Sequence, residues 1–188
     1  YTNTNAVQSF DSDGFTLGND GYTNTTGRTY VGWSWKANGG TTSTNTDGSI
    51  TSTVQANTTA GFSIVTFTGD GNNNASVGHG LGVTPEIIII KNRDAAQGWV
   101  FNANLSSKIR MNLNTTNADL GDFTFYMGTQ TSSNIVFGNN HPAWNGSGNK
   151  MVAYVFHSVE GYSKMGLYTG NGSADGTFVY TGFRPAFV

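Results

Sequence analysis

The feature that most limits what this chain can fold into is a repeat of itself. The stretch Gly61–Ile90, GFSIVTFTGDGNNNASVGHGLGVTPEIIII, returns in shorter form at Gly161–Val188, GYSKMGLYTGNGSADGTFVYTGFRPAFV. Phe67-Thr68-Gly69-Asp70-Gly71 matches Tyr168-Thr169-Gly170-Asn171-Gly172, and Gly82-Val83-Thr84-Pro85 matches Gly182-Phe183-Arg184-Pro185, at a spacing of about 100 residues. A second set lies about 120 residues apart: Leu17-Gly18-Asn19 with Phe137-Gly138-Asn139, and Tyr30-Val31-Gly32-Trp33-Ser34-Trp35 with Met151-Val152-Ala153-Tyr154-Val155-Phe156. The echoes keep their order and include aromatic positions as well as turn residues, so chance likeness among Gly- and Thr-rich strands is the weaker explanation. Read in order, residues 1–36 are the C-terminal half of a module, 61–160 a complete module and 161–188 the start of a further one. Residues 37–60, rich in Gly, Thr, Ser and Asn, are a linker or, because Ile50 and Val54 are evenly spaced in GSITSTVQA, an added strand. On this reading the ends are incomplete: 161–188 packs with 1–36 or with a neighbouring chain, since unpaired strand edges associate, or both ends belong to a longer polypeptide.

What fills such modules is indicated by the residues that carry their polarity. Only 11% of the residues are charged and the formal net charge is −2, whereas Asn, Thr, Ser and Gly abound. Gly supplies positive φ, Asn tolerates the left-handed region and Thr suits a pleated surface, so turns and strands are favoured over helices. The expected class is all-β: antiparallel β-sandwich or jelly-roll modules in tandem. The same charge balance gives no electrostatic footprint for nucleic acid or an anionic membrane. No apolar run approaches the roughly 20 residues of a membrane span. The absence of cysteine excludes disulfides, thiolate metal sites and cysteine catalysis.

Strand signals then follow at short intervals. SFDSDGFTL reads as strand, tight turn and strand, and Thr29–Lys36 as a half-buried strand with Trp33 and Trp35 on one core-facing side. Gly61–Thr68 is the next strand, and Glu86–Lys91, with four consecutive isoleucines, is expected to be a central strand buried on both faces. Gly98–Asn104, Lys108–Leu113, Phe123–Met127, Asn134–Phe137 and Lys150–His157 are further strands, Trp99 is expected in the core, and Thr116–Leu120 is the one candidate helical turn. Strands within 177–188 are expected to pair with the N-terminal segment or with another chain.

The segments GHGLGVTPEIIIIKN, GSGNKMVAYVFHSVEGYSKMGLYTGNGSADGTFVYTGFRPAFV and SFDSDGFTLG resemble an uncharacterised repeated β-rich domain of tailed-phage virion proteins, common in marine phages. The likeness covers nearly the whole chain, with VEGYSK, YTGNGSADG and YTGFRPAFV its most specific phrases. It implies tandem copies in fibre, tail or capsid-surface proteins, a fold like lectin-like sandwiches, an extracellular place on the virion surface, and other virion subunits or further copies as partners. It carries no catalytic residues across.

Chemistry in the chain is sparse. Two glutamates, Glu86 and Glu160, are the sole candidates for a glycosidase-type carboxylate pair, and their separation is not readable from sequence. His79, His141 and His157 lack zinc-site spacing, and His79, between two glycines, reads as a turn cap. No cofactor is expected. Calcium is the one metal with a candidate set, Asp11, Asp13 and Asp20, although Asp-Gly is also ordinary turn chemistry. The best ligand candidate is Trp144 in the loop NNHPAWNGSG, where an exposed indole flanked by Asn140, His141 and Asn145 would suit a sugar face and its hydroxyls. The expectation is a non-enzymatic structural module of a virion. Its alternatives are a module recognising host-surface glycans and a bacterial surface adhesin or extracellular filament subunit.

Overall fold

The computed structural model describes residues 4–105, 108–118 and 123–188. It divides into two compact units, Tyr1–Trp35 and Lys36–Val188. The first unit holds an antiparallel hairpin, β1 (Val7–Phe10) and β2 (Phe15–Leu17), closed by the turn in which Asp11 N–H donates to Gly14 O. That is the strand, turn and strand read from SFDSDGFTL.

The second unit is built on one seven-stranded antiparallel sheet. Its strands are β3 (Ser43–Asn45), β4 (Ser52–Asn57), β5 (Phe62–Thr68), β7 (Ile87–Asn92), β8 (Val100–Asn104), β9 (Lys108–Asn112) and β11 (Lys150–Phe156). Their order is β3-β4-β5-β11-β7-β8-β9, so the last strand in sequence occupies the middle. Over one face lie a ribbon of β6 (Ser76–Gly78) and β10 (Asn134–Val136) and two single-turn helices, α1 (Phe123–Tyr126) and α2 (Pro142–Asn145). The chain is thus nearly all-β and antiparallel, and between Ile50 and Val155 it holds one hydrophobic core.

Side-chain alternation explains the layering. Val65 and Phe67 on β5, Ile88 and Ile90 on β7, and Met151, Ala153 and Val155 on β11 all point to the ribbon side and are buried. At about 25 cal/mol per Å² of apolar surface, each of these side chains but Ala153 stabilises the fold by about 1.5–3 kcal/mol. Two buried serines stitch the ribbon's chain to the sheet: Ser52 Oγ donates to Gly78 O at 2.8 Å and Ser63 Oγ to His79 O at 2.7 Å. Gly78 is required there, since a Cβ would lie 1.6 Å from Asn45 Oδ1.

Several expectations need correction. The isoleucine strand is interior but not central, and it alternates: Ile88 and Ile90 are buried while Ile87 and Ile89, on the outer face, are half-buried. FTFYM is not a strand. Phe123–Tyr126 turns into α1, and Tyr126 meets the core by an edge-on contact with Trp144. Within 37–60, Ser52–Asn57 is a full strand on β5, with Ile50 and Val54 in the core. Trp99 is not a core residue; it stacks on Tyr154 on the outer face, 6.3 Å between centroids. Residues 29–35 form no strand, and Trp33 and Trp35 are exposed rather than core-facing. Residues 177–188 likewise form no strand. Of the proposed helical turn, residues 116–118 are irregular and the rest lies outside the described residues.

Candidate functional site

The loop 139–149 and the turn 69–75 meet at the end of β5, β11 and β7, and this is where the sequence locates its best ligand residues. His141 caps α2: its Nδ1 accepts from Ala143 N–H at 3.1 Å, and Pro142 follows at the first helical position, where no N–H is needed. The turn drives Trp144 inward. Its indole is 0% exposed, Nε1 donates to Asn139 O at 3.1 Å, the His141 ring stacks on it at 4.4 Å, and the Arg110 guanidinium lies 3.9 Å from the Tyr126 ring beside it. The expected exposed indole is therefore corrected: Trp144 is a core residue, and its faces are taken by protein.

Asn145 is equally buried and clasps the opposite turn. Its Nδ2 donates to Asp70 Oδ1 at 2.9 Å and Asn72 O at 3.0 Å, and its Oδ1 accepts from Asp70 N–H at 3.1 Å. Asn140 is exposed and its N–H donates to Asn73 Oδ1 at 2.9 Å. Of the four predicted ligand residues, Asn140 and His141 reach the surface and Trp144 and Asn145 do not. Burial by itself lifts the Asp70 carboxyl, but hydrogen bonds from Asn72 N–H and from the Asn145 and Asn72 side chains outweigh it and hold Asp70 below the ordinary carboxylate value. His141 is held below its ordinary value by burial and then by the charge of Arg110.

Two of the calcium candidates, Asp11 and Asp20, take hydrogen bonds within their turns. Asp11 accepts from Ser9 Oγ at 2.9 Å and Thr16 Oγ1 at 2.8 Å, and Asp20 Oδ1 accepts from Tyr22 N–H at 2.9 Å. Asp13 is exposed on the hairpin turn. Among the described residues no group of three or more His, Asp or Glu side chains has the arrangement to hold a metal. Glu86 accepts from Ser158 N–H, and Glu160 lines a shallow surface hollow with Ser158, Ser163, Lys164, Tyr180, Thr181 and Gly182.

Among the described residues His79 is a fully buried titratable group. Leu81 N–H donates to Nδ1 at 3.2 Å, so the proton sits on Nε2, which bonds Thr131 O at 3.2 Å. This is the turn-capping geometry read from sequence. Burial holds His79 below its ordinary value, opposed more weakly by Thr131 O and Asp47. As pH falls, the unfolded chain therefore takes up the proton first, and the stability present above about pH 6.5 is lost as pH drops through the folded value. Urea unfolding at pH 7.5 and 5.5 is expected to give the lower midpoint at 5.5. In His141→Gln most of that difference should persist; its disappearance would move the effect from His79 to His141.

What sequence reasoning underestimated is how fully the terminal segments copy this site. Asp20 N-caps a turn as His141 does: Thr23 and Asn24 N–H donate to Asp20 O at 3.2 and 2.8 Å, as Trp144 and Asn145 N–H donate to His141 O at 3.2 and 2.9 Å. Arg28 N–H to Thr25 O repeats Asn149 N–H to Gly146 O, Gly18 N–H to Ala6 O repeats Gly138 N–H to Tyr126 O, and Asp11 N–H to Gly14 O repeats Thr131 N–H to Asn134 O. Gly27 and Gly148 share positive φ, 77° and 74°. At the other end Gly61, Gly71 and Gly82 (64°, 71°, 75°) have counterparts in Gly161, Gly172 and Gly182 (74°, 68°, 82°). Asn171 Oδ1 accepts from Ser173 N–H as Asp70 Oδ1 accepts from Asn72 N–H.

These features define a nearly all-β chain whose loop 139–149 buries Trp144 and Asn145 and leaves Asn140 and His141 at the surface. The chain belongs to the family described as domain of unknown function DUF7483, whose model matches residues 1–188. No curated protein and no solved structure matches it.

Proposed function

We propose that this chain is a non-enzymatic structural module of a virion, part of a fibre, tail or capsid surface, in which β-sandwich modules follow one another in tandem and assemble with other subunits or further copies. The observation that carries the assembly part is the mismatch between local geometry and burial. The terminal segments have the module's turns and caps, yet they expose side chains that the complete module buries. Tyr168 is 68% exposed where Phe67 is 6%, and Tyr162 is 56% exposed where Phe62 is 4%. Exposed aromatic surface rimmed by polar residues is characteristic of protein contact. The virion part is supported by the phrases VEGYSK, YTGNGSADG and YTGFRPAFV and their resemblance to repeated domains of tailed phages. A role without catalysis agrees with Asp70, Asn145 and His79 all being spent on fixing turns.

Immunogold labelling with antibodies against the purified chain is expected to mark tails, fibres or capsids of particles from the source culture. Label confined to cell surfaces or extracellular filaments would overturn the virion assignment in favour of an adhesin or filament subunit.

A further inference from the structure

We propose that the outer face of the seven-stranded sheet is a self-association surface, on which the same face of a second copy packs as a further β layer. This rests on the assembly part of the reading above and names its surface and its partner.

The registers of the sheet place one row of side chains across that face. Ile64 on β5 pairs with Tyr154 on β11, Tyr154 with Ile89 on β7, Ile89 with Phe101 on β8, and Phe101 with Met111 on β9. Their chain neighbours Val65, Val155, Ile88 and Ile90 point to the ribbon and are buried, so by alternation the row points away from it, and all five members are half-buried. An antiparallel sheet with one wetted face carries polar residues on that face. β4 keeps to this pattern with Thr53 and with Gln55, the residue paired with Ile64. From β5 to β9 the pattern is broken, and the Tyr154 hydroxyl is the only polar group of the row. Ile87, Ala103 and Ile109 extend the apolar surface on one side. On the other side Trp99 stacks on Tyr154, and Trp99 and Leu113 are 38% and 53% exposed.

Size, charge and shape select a second copy as the partner. Strands about 4.8 Å apart, with outward residues about 6.7 Å apart along each, give this face about 500 Å², so two copies together cover about 1,000 Å², enough for a specific but reversible contact. An apolar patch of this extent is characteristic of an interaction surface. The row holds no charge, and beside it Lys91 Nζ donates to Gln97 O. A partner chosen by charge finds nothing to read there, whereas two copies meet without opposed charges in the row. Two sheets of equal twist pack face to face about 10 Å apart with their strands about 30° from aligned, so the face suits its own copy. The contact uses the same surface on both copies and closes as a dimer.

Sedimentation velocity of the unmodified chain is expected to show a reversible monomer–dimer equilibrium. Met111→Lys and Phe101→Lys should each weaken it by about tenfold or more, because docking would strip water from the new charge. Tyr22→Lys, at a 92% exposed tyrosine of the other unit, should leave it unchanged. Circular dichroism verifies that each variant is folded, and Met111, on the strand at the end of the sheet, is the position expected to accept lysine with the smaller loss of stability. The chain has no cysteine, so a short bismaleimide should link two copies of Ile89→Cys and not two copies of Tyr22→Cys. A chain that stays monomeric at every concentration overturns the proposal. If in that case cellohexaose shifts the tryptophan fluorescence and Trp99→Phe abolishes the shift, the face belongs to a sugar instead. Dimers undiminished in the folded lysine variants, with no link at Ile89→Cys, overturn this surface and leave the assembly reading in place.

Discussion

Trp144→Ala is expected to lower the unfolding free energy by about 3–5 kcal/mol, the range for truncating a large aromatic in a packed core. The indole has no exposed face, its Nε1–H bonds Asn139 O, and Tyr126, His141 and the Arg110 guanidinium lean on it. Removing it leaves a cavity under α2 and frees the loop that carries Asn145. Urea unfolding followed by circular dichroism measures the loss. A change below about 1 kcal/mol would return Trp144 to the surface, since exposed substitutions stay within roughly half a kcal/mol. Iodide should fail to quench the part of the native fluorescence that Trp144→Phe abolishes.

The second large effect concerns the clasp between the two loops. Asn145→Ala removes three hydrogen bonds, one of them to a carboxylate, and strands the Asp70 N–H, so a cost of about 2–4 kcal/mol is expected. The Asp70 carboxyl then rises toward its ordinary value. Because its folded value is depressed, the stability it adds is present above the unfolded value near pH 4 and is lost as pH falls through the folded one. The acid-side slope of stability should therefore flatten in Asn145→Ala. Asp70→Asn, which installs the residue found at Asn171, should be milder, and the two substitutions together should cost less than their sum. Full additivity would mean that the side chains do not act on each other.

Most strands are legible because the pleat leaves a period-2 trace bounded by turn residues, as in FSIVTFT, VFNAN and KMVAYVF. The two loop elements are not, for different reasons. Trp144 carries a readable signal, His-Pro at the start of a helical turn, but the polar residues around it point to exposure. FTFYM has the composition of a strand, and only the tertiary contact of Tyr126 with Trp144 and Arg110 makes it a turn of helix. Ile50 and Val54 are hidden by a low-complexity setting, although their spacing foretells a strand. The terminal segments are misread because alternation is a local signal and a ladder is not: Thr29–Trp35 has the pattern of β11, yet it forms no strand. Of the candidate site, the repeat is visible in letters, while its equality in hydrogen bonds and backbone angles needs coordinates.

The position of β11 also has a consequence for timing. In the sheet, β5 and β7 are separated by β11, the last of the strands in chain order. Roughly 80 residues intervene between β5 and β11, so at about 5–20 residues per second a nascent chain holds β5 for several seconds before its central partner emerges. Closing so long a loop makes folding slow relative to a meander of the same size. Release of the last strand from the ribosome is therefore the step that commits the sheet, and a translational pause just before Lys150 should lengthen the life of an open, protease-sensitive intermediate.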